Sequence, residues 1–230
     1  MQRILVLNPK GGSGKTTIAT NLASYFASQG DHPLLSDNDP QGSSSRWLKK
    51  RKPDQSFIHG IAAFERNTRM TRAWQMRIPP DAAHVIVDTP AAVPAQDMPE
   101  MTKTADAIIV PVLPSDIDIH ACSRCIADLL LIAKVRRDEN RIGVIANRVK
   151  RNTLIYQSLT RFLGTLNIPI VATLRDSQNY VRSAESGQGL AEMKANTVAE
   201  DWADWQTLFE WLESPTYHRA QSGVSSSARR

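Results

Sequence analysis

Short apolar runs alternate along this chain with longer segments whose apolar residues recur every three or four positions. The runs are ILVLN (4–8), HPLLSD (32–37), AHVIVDTP (83–90), ADAIIVPVL (105–113), RIGVIANRV (141–149) and IPIVATL (168–174). Each is too short for a helix and apolar on successive residues, the pattern of strands buried on both faces. TTIATNLASYFASQG (16–30) and DIHACSRCIADLLLIAKV (118–135) carry the helical period between them. Ile18, Leu22, Tyr25 and Phe26 share one helix face, the helix starts inside a glycine loop, and Gly30 stops it. This alternation predicts an α/β fold, a mostly parallel twisted sheet with helices on both faces and ligands at the strand ends.

Near the end, Val198, Trp202, Trp205, Phe209 and Leu212 form one apolar stripe opposite Glu200, Asp201, Asp204, Glu210 and Glu213. A single helix packed on the core is expected there. From Pro215 the chain is Ser-rich and without period, so one domain over 1–214 and a disordered tail over 215–230 are expected. With 230 residues, 41% hydrophobic, the chain suits one substantial core. It has two cysteines, opens on a strand rather than a secretory signal, and lacks an apolar run of spanning length, which together predict a cytoplasmic protein. A net charge of +5 favours an anionic partner, nucleic acid or membrane.

The chemistry begins at KGGSGKTT, Lys10 to Thr17, between the first strand and the first helix. Strand, glycine loop, Gly-Lys-Thr and helix are the context of a phosphate-binding loop. The backbone N–H groups of Gly11, Gly12, Ser13 and Gly14 can wrap phosphate oxygens, with Thr17 following in the helix's first turn. Lys15 then holds the β/γ-phosphates, and the Thr16 hydroxyl ligates Mg²⁺. Lys10 is one lysine more than such a loop needs; by itself it reads as a charge at the loop mouth.

The pattern K-G-G-x-G-K-T-T resembles the deviant Walker A motif of the ParA/MinD family of ATPases. That resemblance implies ATP as substrate, an ATP-dependent homodimer, and a Lys10 that reaches the phosphates bound by the partner subunit. LLSDNDPQGSSSRW resembles the family's switch I, with Asp37 supporting the Mg²⁺ shell and Asp39 orienting the attacking water. Either aspartate could instead be a turn or cap residue. HVIVDTPA resembles the Walker B strand, giving Asp88 to Mg²⁺ through water. VIANRVKR resembles the segment that reads adenine, with Asn147 as reader, and VRSAESGQGLAE resembles the stretch leading into the final helices. The likeness runs over about residues 3–195. Pro9, Asn38 and Ala91 depart from the usual pattern and leave the subfamily open.

ParA-like proteins hold nucleoid DNA without reading its sequence, move plasmid, chromosome or protein cargo, and release on hydrolysis stimulated by a partner protein. Arg141, Arg148, Lys150, Arg151 and Arg161 lie in a stretch without acidic residues, and Arg175, Arg182 and Lys194 could join them. The DNA-binding candidates taken from this set are Arg148, Lys150, Arg151 and Arg182. A second basic segment, Arg46 to Arg77 with Trp47 and Trp74, is expected to be helical surface anchored by its aromatics. No helix-turn-helix precedes the first strand, so sequence-specific autoregulation is not expected. Two rivals remain. MinD-like relatives bind membrane through a basic amphipathic C-terminal helix, whereas the polar face here is acidic. Cluster-carrying relatives use cysteines, but Cys122-x-x-Cys125 lies in a helical pattern that reads as packing.

Overall fold

The computed structural model describes residues 1–65, 77–91, 93–150 and 153–214. Its elements run β1 (Gln2–Val6), α1 (Lys15–Ser28), β2 (Leu34–Asp37), α2 (Ser43–Lys49), β3 (His59–Ala62), β4 (His84–Asp88), α3 (Met98–Lys103), β5 (Ala107–Val112), α4 (Asp116–Leu131), β6 (Ile142–Val149), α5 (Leu154–Leu166), β7 (Ile170–Arg175), α6 (Gln178–Glu185), α7 (Ala195–Ala203) and α8 (Gln206–Leu212). Seven strands pair in the order β3-β2-β4-β1-β5-β6-β7, and every pairing is parallel. The chain leaves β1 toward β2 on one side and later returns past it to β5 on the other. The strand order therefore reverses beside β1, where parallel sheets open a crevice at their C-terminal edge.

The continuous apolar runs are explained by two cores, one on each face. Ile4 and Val6 of β1 join Ile18 and Leu22 of α1 and Leu208 and Phe209 of α8. Leu5 and Leu7 point the other way, to Ile108, Cys122, Cys125, Leu159 and Leu163. Successive side chains of one strand fill opposite cores, so no polar alternation appears in the sequence.

Three expectations change. The strand β3 lies inside the Arg46–Arg77 segment, which is therefore not all helical surface: α2 is helical, Trp47 is buried as expected, and β3 pairs with β2. HGIA is short, contains glycine and sits at the sheet edge, so it carries no apolar run to detect. The terminal stripe forms two helices, α7 and α8, broken at Asp204–Trp205. Asp201, expected on the polar face, is fully buried. Trp74, Arg151 and the tail expectation for 215–230 lie outside the described residues.

Candidate functional site

The residues of the motifs come together at the C-terminal edge of the sheet. β1 ends at Val6, and the buried Asn8 ties the following loop to β5 through the Pro111 carbonyl. Asn8 Oδ1 accepts the Lys10 N–H at 2.8 Å, which sets the loop's first turn. Gly14 has φ +100, a region open to glycine, and a Cβ there would stand 2.2 Å from Asn147 Nδ2. Any other residue is excluded twice over. α1 then begins at Lys15 with no capping side chain and no acidic residue in its first turn, so its N-terminal amides stay available to an anion.

Two carboxylates stand beside the loop on neighbouring strands, Asp37 of β2 paired in register with Asp88 of β4. Both are fully buried, yet their situations differ. Asp37 accepts from Asp39 N at 3.2 Å and from Ser45 N at 2.8 Å, so it shapes the turn into α2. The turn-forming alternative thus describes what its oxygens do here. Asp88 has neither oxygen hydrogen-bonded. Burial, reinforced by Asp37, pushes its carboxyl up to about 6; Thr16, Ser44 and Lys15 temper the rise. The two hydroxyls stand near it without closing a hydrogen bond on either oxygen. Ser44, also buried and without a hydrogen-bond partner, was missed in the sequence, where it sat in a serine run with no distinguishing mark. Orphaned carboxylate oxygens beside a threonine hydroxyl suit Mg²⁺, which takes few protein ligands and keeps several waters.

A trough of about 280 Å³ opens over this edge, lined among others by Gly11, Gly12, Gly14, Thr16, Thr17 and Asp39. Asp39 is part-exposed, and its carboxylate accepts from Gln41 N at 2.9 Å. Lys15 also lines the trough; burial lowers its pKa, opposed by Asp88 and Asp39, and its Nζ rests 3.2 Å from the Lys10 carbonyl. Asn147, expected to face adenine, spends one amide hydrogen on the Ser13 carbonyl at 2.8 Å, while its Oδ1 accepts Arg148 N at 3.0 Å. It is first a brace of the glycine loop, with one amide hydrogen left over. A larger depression of about 630 Å³ between Tyr25, His84 and Phe209 lies at the opposite edge, and none of the candidate site residues lines it.

The CobQ/CobB/MinD/ParA nucleotide binding domain model matches residues 4–190. The chain belongs to this family. The "Maintenance of carboxysome distribution protein A" of Gloeobacter kilaueensis is 30% identical over 221 residues, covering 91% of this chain and 93% of that protein. Apo McdA of Cyanothece superposes with a TM-score of 0.70 at 16% identity, over 92% of this chain and 99% of that one. MinD of Aquifex aeolicus gives 0.64 at 17%, over 96% and 97%. At such identities the two structures establish the ParA/MinD fold.

Among the cations that a ParA/MinD-type ATPase could offer DNA, the structure separates exposed from committed ones. Lys150 and Arg182 are exposed after the ends of the adjacent strands β6 and β7. Arg148, also exposed, has φ +52 and lines the nucleotide trough. Arg175 does not join them: its Nε bonds buried Asp201 at 2.7 Å and its Nη1 bonds Glu200. Arg141 lies at the start of β6, a strand's length from Arg148, and binds Glu139 at 2.7 Å. Cys122 and Cys125 are fully buried in the second core, and burial pushes the Cys122 thiol up to about 12 and Cys125 higher still. Packed in that core, both read as small apolar residues. Among the described residues, no helix is long and apolar enough to cross a membrane.

Proposed function

We propose that this chain is a ParA-type ATPase that closes into a homodimer on ATP and Mg²⁺, holds non-specific nucleoid DNA in that state, and releases it on hydrolysis stimulated by a partner protein. One observation carries the reading. Lys15 lines the trough of its own protomer, whereas Lys10 is not among the residues that line it and is about one-third exposed. A cation that does not serve its own site is available to the phosphates of a second copy, where it offsets charge that one subunit leaves uncompensated.

Within one protomer the loop amides and Lys15 hold the phosphates, and Asp39 at the trough wall orients a water in line with the γ-phosphorus. The water oxygen forms the new bond to phosphorus as the bridging bond to ADP breaks. Thr16 and, through water, Asp88 with Asp37 behind it would hold Mg²⁺, which would neutralise phosphate charge. Asn147 gives its remaining amide hydrogen to a ring nitrogen of the base. The name of the Gloeobacter relative supports a protein assembly of the carboxysome type as cargo. Sedimentation velocity tests the central point. The wild type should dimerise with ATP and Mg²⁺ but not with ADP, and Lys10→Ala should remain monomeric while still binding ATP. A Lys10→Ala protein that dimerises normally defeats the reading.

A further inference from the structure

Lys10 is not loose in the protomer. Its Nζ lies 2.8 Å from Oδ2 of Asp118, in the first turn of α4, and that carboxylate is 3% exposed. Ser115 caps α4 by accepting Asp118 N at 3.2 Å, and its hydroxyl donates back to the same Oδ2. Asp118 Oδ1 has no hydrogen-bond partner. The Lys10 ammonium is thus paired with this enclosed carboxylate, and its departure leaves the charge on Oδ2 with the Ser115 hydroxyl as its donor.

The lysine's main chain is fixed from both sides. Its N–H is held by Asn8 Oδ1 at 2.8 Å, and its carbonyl accepts from Lys15 Nζ at 3.2 Å. The side chain alone can swing, so Lys10 has two destinations: Asp118 behind it, or an anion in front. No other function derived above uses Asp118, which lies 108 residues from Lys10 in sequence.

We infer that Asp118 is a positioning residue that holds Lys10 back in the separate protomer, so that the lysine breaks a buried ion pair before it serves a second copy's phosphates. This rests on the dimer reading above. The carboxylate competes with the phosphate for one cation, and so sets how much ATP closes the dimer. Because the ion pair counts against the closed state, nucleotides lacking the terminal phosphate do not overcome it.

The test is an ATP titration followed by sedimentation velocity, with thermal unfolding recorded for every protein. Asp118→Asn should reach half-dimerisation at about 5- to 150-fold less ATP, the usual range for coupling between sites, and should dimerise measurably with ADP. Asp118→Glu, which keeps the charge, should restore a threshold near that of the wild type. Lys10→Ala combined with Asp118→Asn should behave like Lys10→Ala alone, because the effect passes through the lysine. Lowered thermal stability of Asp118→Asn with an unchanged ATP threshold would mean a purely structural carboxylate and overturn the inference. A raised threshold would overturn it too. Either result, with Lys10→Ala still monomeric, leaves the dimer reading intact; a wild type that never dimerises with ATP removes both.

Discussion

Asp88 illustrates how a single residue carries cost and capacity together. Fully buried, with neither oxygen hydrogen-bonded, it titrates near 6 instead of the usual carboxylate range because burial disfavours its charge. A pKa raised in the folded state means stability is present below the unfolded value near 4 and lost as pH rises to 6. The loss amounts to about 3 kcal/mol from the two-unit difference. Without Mg²⁺, Asp88→Asn should therefore lack that pH-dependent loss and be the more stable protein at pH 7.5, while losing Mg²⁺-dependent ATP affinity. Urea unfolding at pH 4.5 and 7.5 checks this, and parallel pH profiles for the two proteins would contradict it. The Asp-Thr-Pro strand end stands out in the sequence as a metal-site candidate through its resemblance to a Walker B strand. That Asp37 spends its oxygens on backbone amides while Asp88 keeps both free was not, because hydrogen-bond occupancy depends on how the turn after β2 folds back.

Among elements, α2 is tied to a segment near the far end of the chain. Arg51, just past α2, forms a buried pair with Glu192 at 2.6 Å and also bonds the Gly187 carbonyl at 3.0 Å. Glu192 in turn accepts from Ser24 of α1 at 3.1 Å and from Gly189 N at 3.0 Å. Gly189 is required by this contact, since a Cβ there would meet Ser24 Oγ at 2.1 Å. The strut joins α1, α2 and the Gly-Gln-Gly segment that the sequence marked only by resemblance. Glu192→Ala leaves Arg51 buried without its counter-charge and should cost about 3–5 kcal/mol in urea unfolding; a loss below 1 kcal/mol would show that the strut is dispensable. Arg51 falls within the Arg46–Arg77 segment expected to be surface, and nothing local in the sequence marks it as enclosed. The break between α7 and α8 was invisible for a related reason. Asp204 and Trp205 keep right-handed helical dihedrals, so the apolar stripe holds its phase through the turn.

Over the whole molecule, a net charge of +5 says little until committed cations are set apart. Arg175 holds the buried Asp201 and Arg141 the part-exposed Glu139, whereas Lys150, just past β6, and Arg182, in α6, stand exposed. Lys150→Ala with Arg182→Ala should weaken ATP-dependent binding to DNA of any sequence and reduce the slope of log affinity against log salt by about 1.8, at about 0.9 per phosphate contact. An unchanged slope in a fluorescence-anisotropy titration would exclude both from the DNA surface. The sequence by itself determined the strand and helix alternation, the phosphate loop and the membership of its two lysines. Those features rest on local period and local backbone demands, which neighbouring residues specify. Tertiary structure alone decided that β3 closes the sheet edge, that Asp88 keeps its oxygens free, and that Lys10 leans on Asp118. Each depends on which distant segments meet and on how much water they exclude, and burial and charge pairing follow that encounter rather than the order of residues.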